Sequence, residues 1–120
     1  MEKLNKNNIK LLKEGTVGIL AWARWNEKAN TVHSIASRIS KESPEKIRFF
    51  EIETKNNQDL YMELRVKSIP TIIFLYNGKE FLRHRGMIDY RGLRDILNSL
   101  DLRIRVFKKS LKERIKEWQE

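Results

Sequence analysis

No residue of the 120-residue chain can act as a thiol, because cysteine is absent. That single fact removes disulfides, thiolate nucleophiles and thiolate metal sites together. The two histidines, His33 and His84, stand far apart and neither has a ligand-spaced companion, so no metal site is expected. Asn26, Glu27, Lys28 and His84 are the polar groups around which a catalyst would have to be built. None forms a nucleophile–base pair, a phosphate loop or a metal triad. The expectation is a protein without a catalytic residue, a metal or a cofactor.

Charge is the next chemical resource. There are 25 Lys and Arg against 16 Asp and Glu, a net charge of +9. An excess of that size favours acidic partners, whether protein, nucleic acid or anionic lipid. No RNP-type aromatic motif, zinc finger or Gly-x-x-Gly clamp accompanies it, so nucleic-acid binding rests on charge alone. One cluster comprises Arg83, His84, Arg85, Arg91 and Arg94 around Gly86, and it reads either as recognition of an acidic partner or as ordinary exposed charge. No run of about 18 apolar residues occurs, so no transmembrane segment is expected. Charges spread through residues 1–14 leave no secretory leader pattern, which makes the cytoplasm the expected address.

The elements that must position these groups follow from periodicity. Residues 5–13 are weakly helical up to Gly15. Residues 16–23 (TVGILAWA) form an apolar run suited to a strand buried on both faces. Val32, Ile35, Ala36 and Ile39 then fall on one face of a helix over 29–40, which leaves His33 a surface position. Residues 47–53 (IRFFEIE) read as a strand, and Leu60, Tyr61 and Leu64 as one side of a short helix. Strands over 71–76 and 79–85 flank Asn77-Gly78, a strong hairpin turn. A last helix starting near Asp89 buries Leu93, Ile96, Leu97 and Leu100. This alternation argues for an α/β fold with a mixed sheet between helices.

With those elements placed, the chain resembles the thioredoxin family from about residue 15 to 100. The resemblance rests on Trp22-Ala23-Arg24-Trp25 leading into a helix, Ser68-Ile69-Pro70-Thr71 opening a strand, Asn77-Gly78 in the hairpin, and Gly86 before the last helix. It implies a cis Pro70. It also implies that Cys-x-x-Cys should follow the second tryptophan, where this chain has Asn26-Glu27-Lys28-Ala29. The family's buried acid and its lysine partner are replaced by Leu20 and Glu51, so the redox site is dismantled at several positions. In the family, three loops form a groove for extended polypeptide. The matching residues are Trp25, Asn26, Glu27, Lys28 and Ala29; Lys67, Ser68, Ile69 and Pro70; and Arg85, Gly86 and Met87. The expectation is a redox-inactive interaction module for another protein, acidic partners included, with residual membership of a thiol-redox pathway as an alternative.

The family's first strand has only residues 1–4 to supply it, so a four-stranded sheet is expected. Strand 47–53 would then be an open edge and a possible dimer contact. A thioredoxin-like domain over 1–100 is followed by a basic extension over 101–120. There Ile104, Phe107, Leu111, Ile115 and Trp118 recur at helical spacing, as an interaction helix that docks on its own domain, dimerises or meets an anionic surface. Leu102, Ile104 and Val106 alternating with Arg103 and Arg105 leave a strand open as the lesser reading.

Overall fold

A computed structural model describes residues 1–119, and the side chains of 117–119 lie outside the described part, Trp118 of the apolar stripe among them. Five strands form one mixed sheet: β1 (Glu2–Lys3), β2 (Thr16–Trp22), β3 (Arg48–Glu53), β4 (Thr71–Tyr76) and β5 (Lys79–Arg85). Their order is β1-β3-β2-β4-β5, with β1, β3 and β2 parallel and β4 and β5 antiparallel to their neighbours. Four α-helices accompany them: α1 (Glu27–Glu42), α2 (Gln58–Glu63), α3 (Tyr90–Asn98) and α4 (Leu100–Gln119). The fold is thioredoxin-like.

The strand count corrects the four-strand expectation. Two residues suffice for β1, because Glu2 and Lys3 pair with Phe50 and Glu51, and the Leu4 N–H donates to the Glu51 carbonyl at 2.8 Å. The side chain of Arg48 also pairs with Glu2 at 2.7 Å, both groups about half exposed, and Leu4 is buried in the core beside them. The edge of β3 is therefore covered along those residues, which removes the argument for an edge-to-edge dimer there. Behind β1, Asn5 and Asn8 side chains accept and donate local backbone bonds, so residues 5–8 turn. The helical stretch expected over 5–13 shrinks to a 3-10 turn, Ile9–Lys13.

Alternation along the strands sorts the core onto two faces. Leu20, Trp22, Phe49, Ile72 and Phe74 meet Ala29, Val32, Ala36 and Ile39 of α1 and Leu93 and Leu97 of α3. Val17, Ile19, Ala21, Phe50, Ile52, Ile73 and Leu75 meet Leu4, Leu12 and Leu60 on the other face. Burial of this order supplies the main driving force of folding. Gly18 is required by packing. Its register partner is Phe49, and a Cβ built at Gly18 would stand 2.6 Å from that ring. At the hairpin, Asn77 and Gly78 have φ of 48° and 84°, the geometry an Asn-Gly turn supplies at low cost. Asn77 also accepts from the Gly15 N–H at 2.9 Å, tying the hairpin to the start of β2.

The extension is helical, not a strand, and it does not simply continue α3. Asn98 and Ser99 are weak helix formers, and Ser99 Oγ turns back to the Ile96 carbonyl. From there Leu100 and Ile104 join the α1/α3 side of the core. An aromatic series, Phe49–Phe74–Phe81–Phe107, with ring centroids 6.0–6.4 Å apart, links β3, β4, β5 and α4.

Candidate functional site

The register places three loops at one end of the sheet. Ala21 of β2 pairs with Thr71 of β4, which pairs with Arg85 of β5. The segments just beyond those residues are Ala23–Trp25, Ile69–Pro70 and Gly86–Met87. The Ile69–Pro70 bond is cis. The Gly86 N–H donates to the Pro70 carbonyl at 2.8 Å, fastening the second loop to the third. Thr71 Oγ1 donates to the Ser68 carbonyl, which fixes the turn that precedes β4.

The loop that matches the family's Cys-x-x-Cys position forms a helix cap. Asn26 stands at the N-cap of α1, and its side-chain oxygen accepts from the Ala29 N–H at 2.9 Å. Asn30 donates to the Asn26 carbonyl at 3.0 Å and also to the carbonyl of Arg24, closing the loop on itself. This capping starts α1 at Glu27, two residues before the sequence expectation, and it buries Ala29 completely. The two end positions of the family's Cys-x-x-Cys thus hold a structural amide and a buried methyl group.

Below the loop, Leu20 is fully buried, and its register partner Glu51 carries the charge opposite to the lysine that the resemblance would place there. Glu51 accepts from His33 Nε2 at 3.0 Å, and the His33 ring stacks on Trp22 at 3.8 Å. His33 is therefore not the surface residue that helical periodicity suggests. Its side chain keeps only 25% exposure, and Glu51 only 13%. Sequence patterning missed this contact because β3 and α1 meet only in three dimensions. Trp22 Nε1 is buried, with no hydrogen-bond partner among the described residues.

The outer surface of the loops is different in character. Trp25 is 77% exposed and Met87 45%, while Ile69 is half-buried and Pro70 buried. Arg24, Trp25, Glu53 and Lys55 line a shallow cavity with Ala23. Arg24 lies 3.6 Å from Glu53, so this pair is locally neutral. Lys28, Lys55, Lys67 and Arg85 are exposed around the loops, and no ion pair holds them among the described residues; Glu27 is the only uncommitted acid of the loop residues. The rim is cationic.

The basic cluster around Gly86 does not survive as a cluster. Arg83 donates to Glu80 and to the Leu64 and Arg65 carbonyls, closing the end of α2. Arg94 binds Glu42 and Ser43, and with Arg38 brackets the Tyr90 ring. Hydrogen bonds from Tyr90 and then Arg38 hold the Glu42 carboxyl below its usual range. His84 bonds the Met87 carbonyl at 2.9 Å. Of the five, Arg85 and Arg91 make no such bond among the described residues. Among the described residues no group of acids and histidines could hold a metal, and no helix is long and apolar enough to cross a membrane.

Comparison with known proteins agrees with this architecture. The thioredoxin family model matches residues 2–99. Thioredoxin of Rickettsia typhi is 30% identical over 77 residues, which span 64% of this chain and 73% of the relative. Thioredoxin of Rickettsia felis is 29% identical over the same extent. Among solved structures, a chloroplastic thioredoxin z superposes with a TM-score of 0.74 at 18% identity, covering 85% of this chain and 95% of that one. A thioredoxin of Malassezia sympodialis gives 0.70 at 20% identity, covering 79% and 84%.

Proposed function

Because the chain belongs to the thioredoxin family and has no cysteine, we propose that it is a non-catalytic module that holds an acidic, extended polypeptide segment at the three-loop end of the sheet. Thiol–disulfide exchange is closed to its own side chains, since no thiolate can form. The observation that carries the reading is the 77% exposure of Trp25, at the same end of the sheet as exposed Met87 and a cationic rim. A large aromatic left in water at a sheet end with two further apolar loop residues, Ile69 and Met87, has the composition of a binding anchor.

Each part has a chemical role in the reading. Trp25, Ile69 and Met87 supply apolar contact. The backbone of Ile69, just before Pro70, supplies hydrogen bonds to an extended chain, since the Pro70 carbonyl is taken by Gly86. Lys28, Lys55, Lys67 and Arg85 favour acidic side chains and speed encounter. The Asn26 cap holds the first loop shape without sulfur, so the groove outlives the chemistry.

The test is a titration with a soluble extended peptide carrying Glu and Asp around two apolar residues. Trp25→Ala should weaken binding by roughly tenfold or more, the ordinary scale for an interface tryptophan. Since Trp25 is exposed, the variant should melt with the native protein. Equal affinity in the folded variant would refute the groove.

A further inference from the structure

Beyond its first turns, α4 leaves the domain. Ile104 is buried, Phe107 rests on Phe81, and Lys108 lies over the Tyr76 ring at 4.6 Å. Tyr76 and Phe81 stand beside the β4–β5 hairpin, which is therefore the last part of the domain that α4 meets. Leu111 is half-buried, and residues 112–116 are exposed throughout, Ile115 at 53%. At 100° per residue, Leu111 and Ile115 fall within about 20° of Ile104, so the buried stripe continues into open solvent. The molecule measures 51 × 31 × 23 Å, a long axis consistent with a 20-residue helix that projects past the sheet.

Charge and shape decide what fits there. α4 carries seven cations and, with Asp101, Glu113 and Glu117, three anions, a net charge of 7 − 3 = +4. Among the described residues none of those cations makes an ion pair. Lys108 and Lys112 border the stripe on one side and Arg114 on the other, while Glu113 points away from it. A second copy would bring an equally cationic helix against this one, which like-charge repulsion opposes. A flat membrane is opposed by shape, because the domain itself stands on the side of α4 that the stripe faces. A rod can enter the angle between helix and hairpin where a plane cannot.

We propose that the projecting half of α4 docks an amphipathic helix of another protein, one whose apolar stripe is flanked by Glu and Asp. Leu111 and Ile115 form the apolar seam, and Lys108, Lys112 and Arg114 pair with the acids along it. The surface is separate from the three-loop groove, so the two can be occupied together and can fail separately.

The probe is a labelled synthetic helix of Leu with flanking Glu, titrated with the full chain by fluorescence anisotropy beside the same helix with Lys for Glu. The acidic helix should bind and the basic one should not. Ile115→Ser, an exposed change that leaves the fold intact, should weaken binding about tenfold or more, and rising salt should weaken it further. Trp25→Ala should leave it unchanged. Equal binding of both helices, or indifference to Ile115→Ser, overturns the proposal. It is also overturned if anionic lipid vesicles or a single-stranded oligonucleotide bind more tightly with the same Ile115 dependence. A protein that light scattering finds dimeric until Ile115 is changed would show that a second copy fills the site.

Discussion

Replacing Gly18 by alanine should destabilise the protein, against the usual preference of strands. A Cβ at this position would lie 2.6, 2.9 and 3.1 Å from three atoms of the Phe49 ring. The ring must retreat by roughly 0.9 Å to restore an ordinary carbon–carbon separation of about 3.5 Å. It has nowhere free to go, being 3% exposed and set edge-on to Phe74. Overpacking of this kind costs about 1–3 kcal/mol. Alanine recovers about 0.5–1 kcal/mol through lower chain entropy, so the expected net loss is about 1–2 kcal/mol. In a domain of this size that lowers Tm by roughly 3–8 °C. Urea denaturation should show a lower midpoint with an unchanged slope. Combining Gly18→Ala with Phe49→Leu should cost less than the sum of the two single changes, by about 1 kcal/mol. A midpoint equal to or above that of the native protein, or strict additivity, would refute the packing argument.

Phe107→Ala should destabilise by about 1–2 kcal/mol, as partial burial against Phe81 requires, whereas Ile115→Ala should stay within about 0.5 kcal/mol; thermal melts compare them directly. Burial raises the Tyr61 hydroxyl above the ordinary tyrosine range, and it donates to the Trp22 and Ile52 carbonyls at 3.0 and 3.1 Å. The folded value lies above the unfolded one, so this stabilisation is intact below about pH 10 and is lost as pH rises through the folded value. The urea midpoint should fall less between pH 8 and pH 11 in Tyr61→Phe than in the native protein, and an equal fall would refute the assignment. Restoring the thiols as Asn26→Cys with Ala29→Cys should give a reductase roughly a hundredfold or more slower than an ordinary family member, because Leu20 relays no proton. An insulin-reduction assay at full family rate would contradict that.

The α/β order, the hairpin and the three loops were legible because they depend on local pattern: the apolar run of β2, Asn77-Gly78, and Trp25 and Pro70 in their family spacing. Contacts that close in three dimensions were not. Two residues make β1 because their backbone pairs with Phe50 and Glu51 while Leu4 enters the core, which no window of sequence displays. His33 looked like surface by helical phase, yet Trp22 and Glu51 receive it. Arg83 and Arg94 read in sequence as either a recognition patch or exposed charge, and serve as internal fasteners, for α2 and for the α1–α3 contact. Asn26 at a vacated cysteine position read only as a loss, and its role as a cap appears with the Ala29 hydrogen bond.

The most direct test of the groove is an amide and indole NMR map of the full chain titrated with the acidic extended peptide. The account predicts saturable shifts of the Trp25 indole and of the amides of Ile69, Gly86 and Met87, with α4 amides such as Ile115 unmoved. Shifts confined to α4, or none at the three loops at saturating peptide, would contradict it.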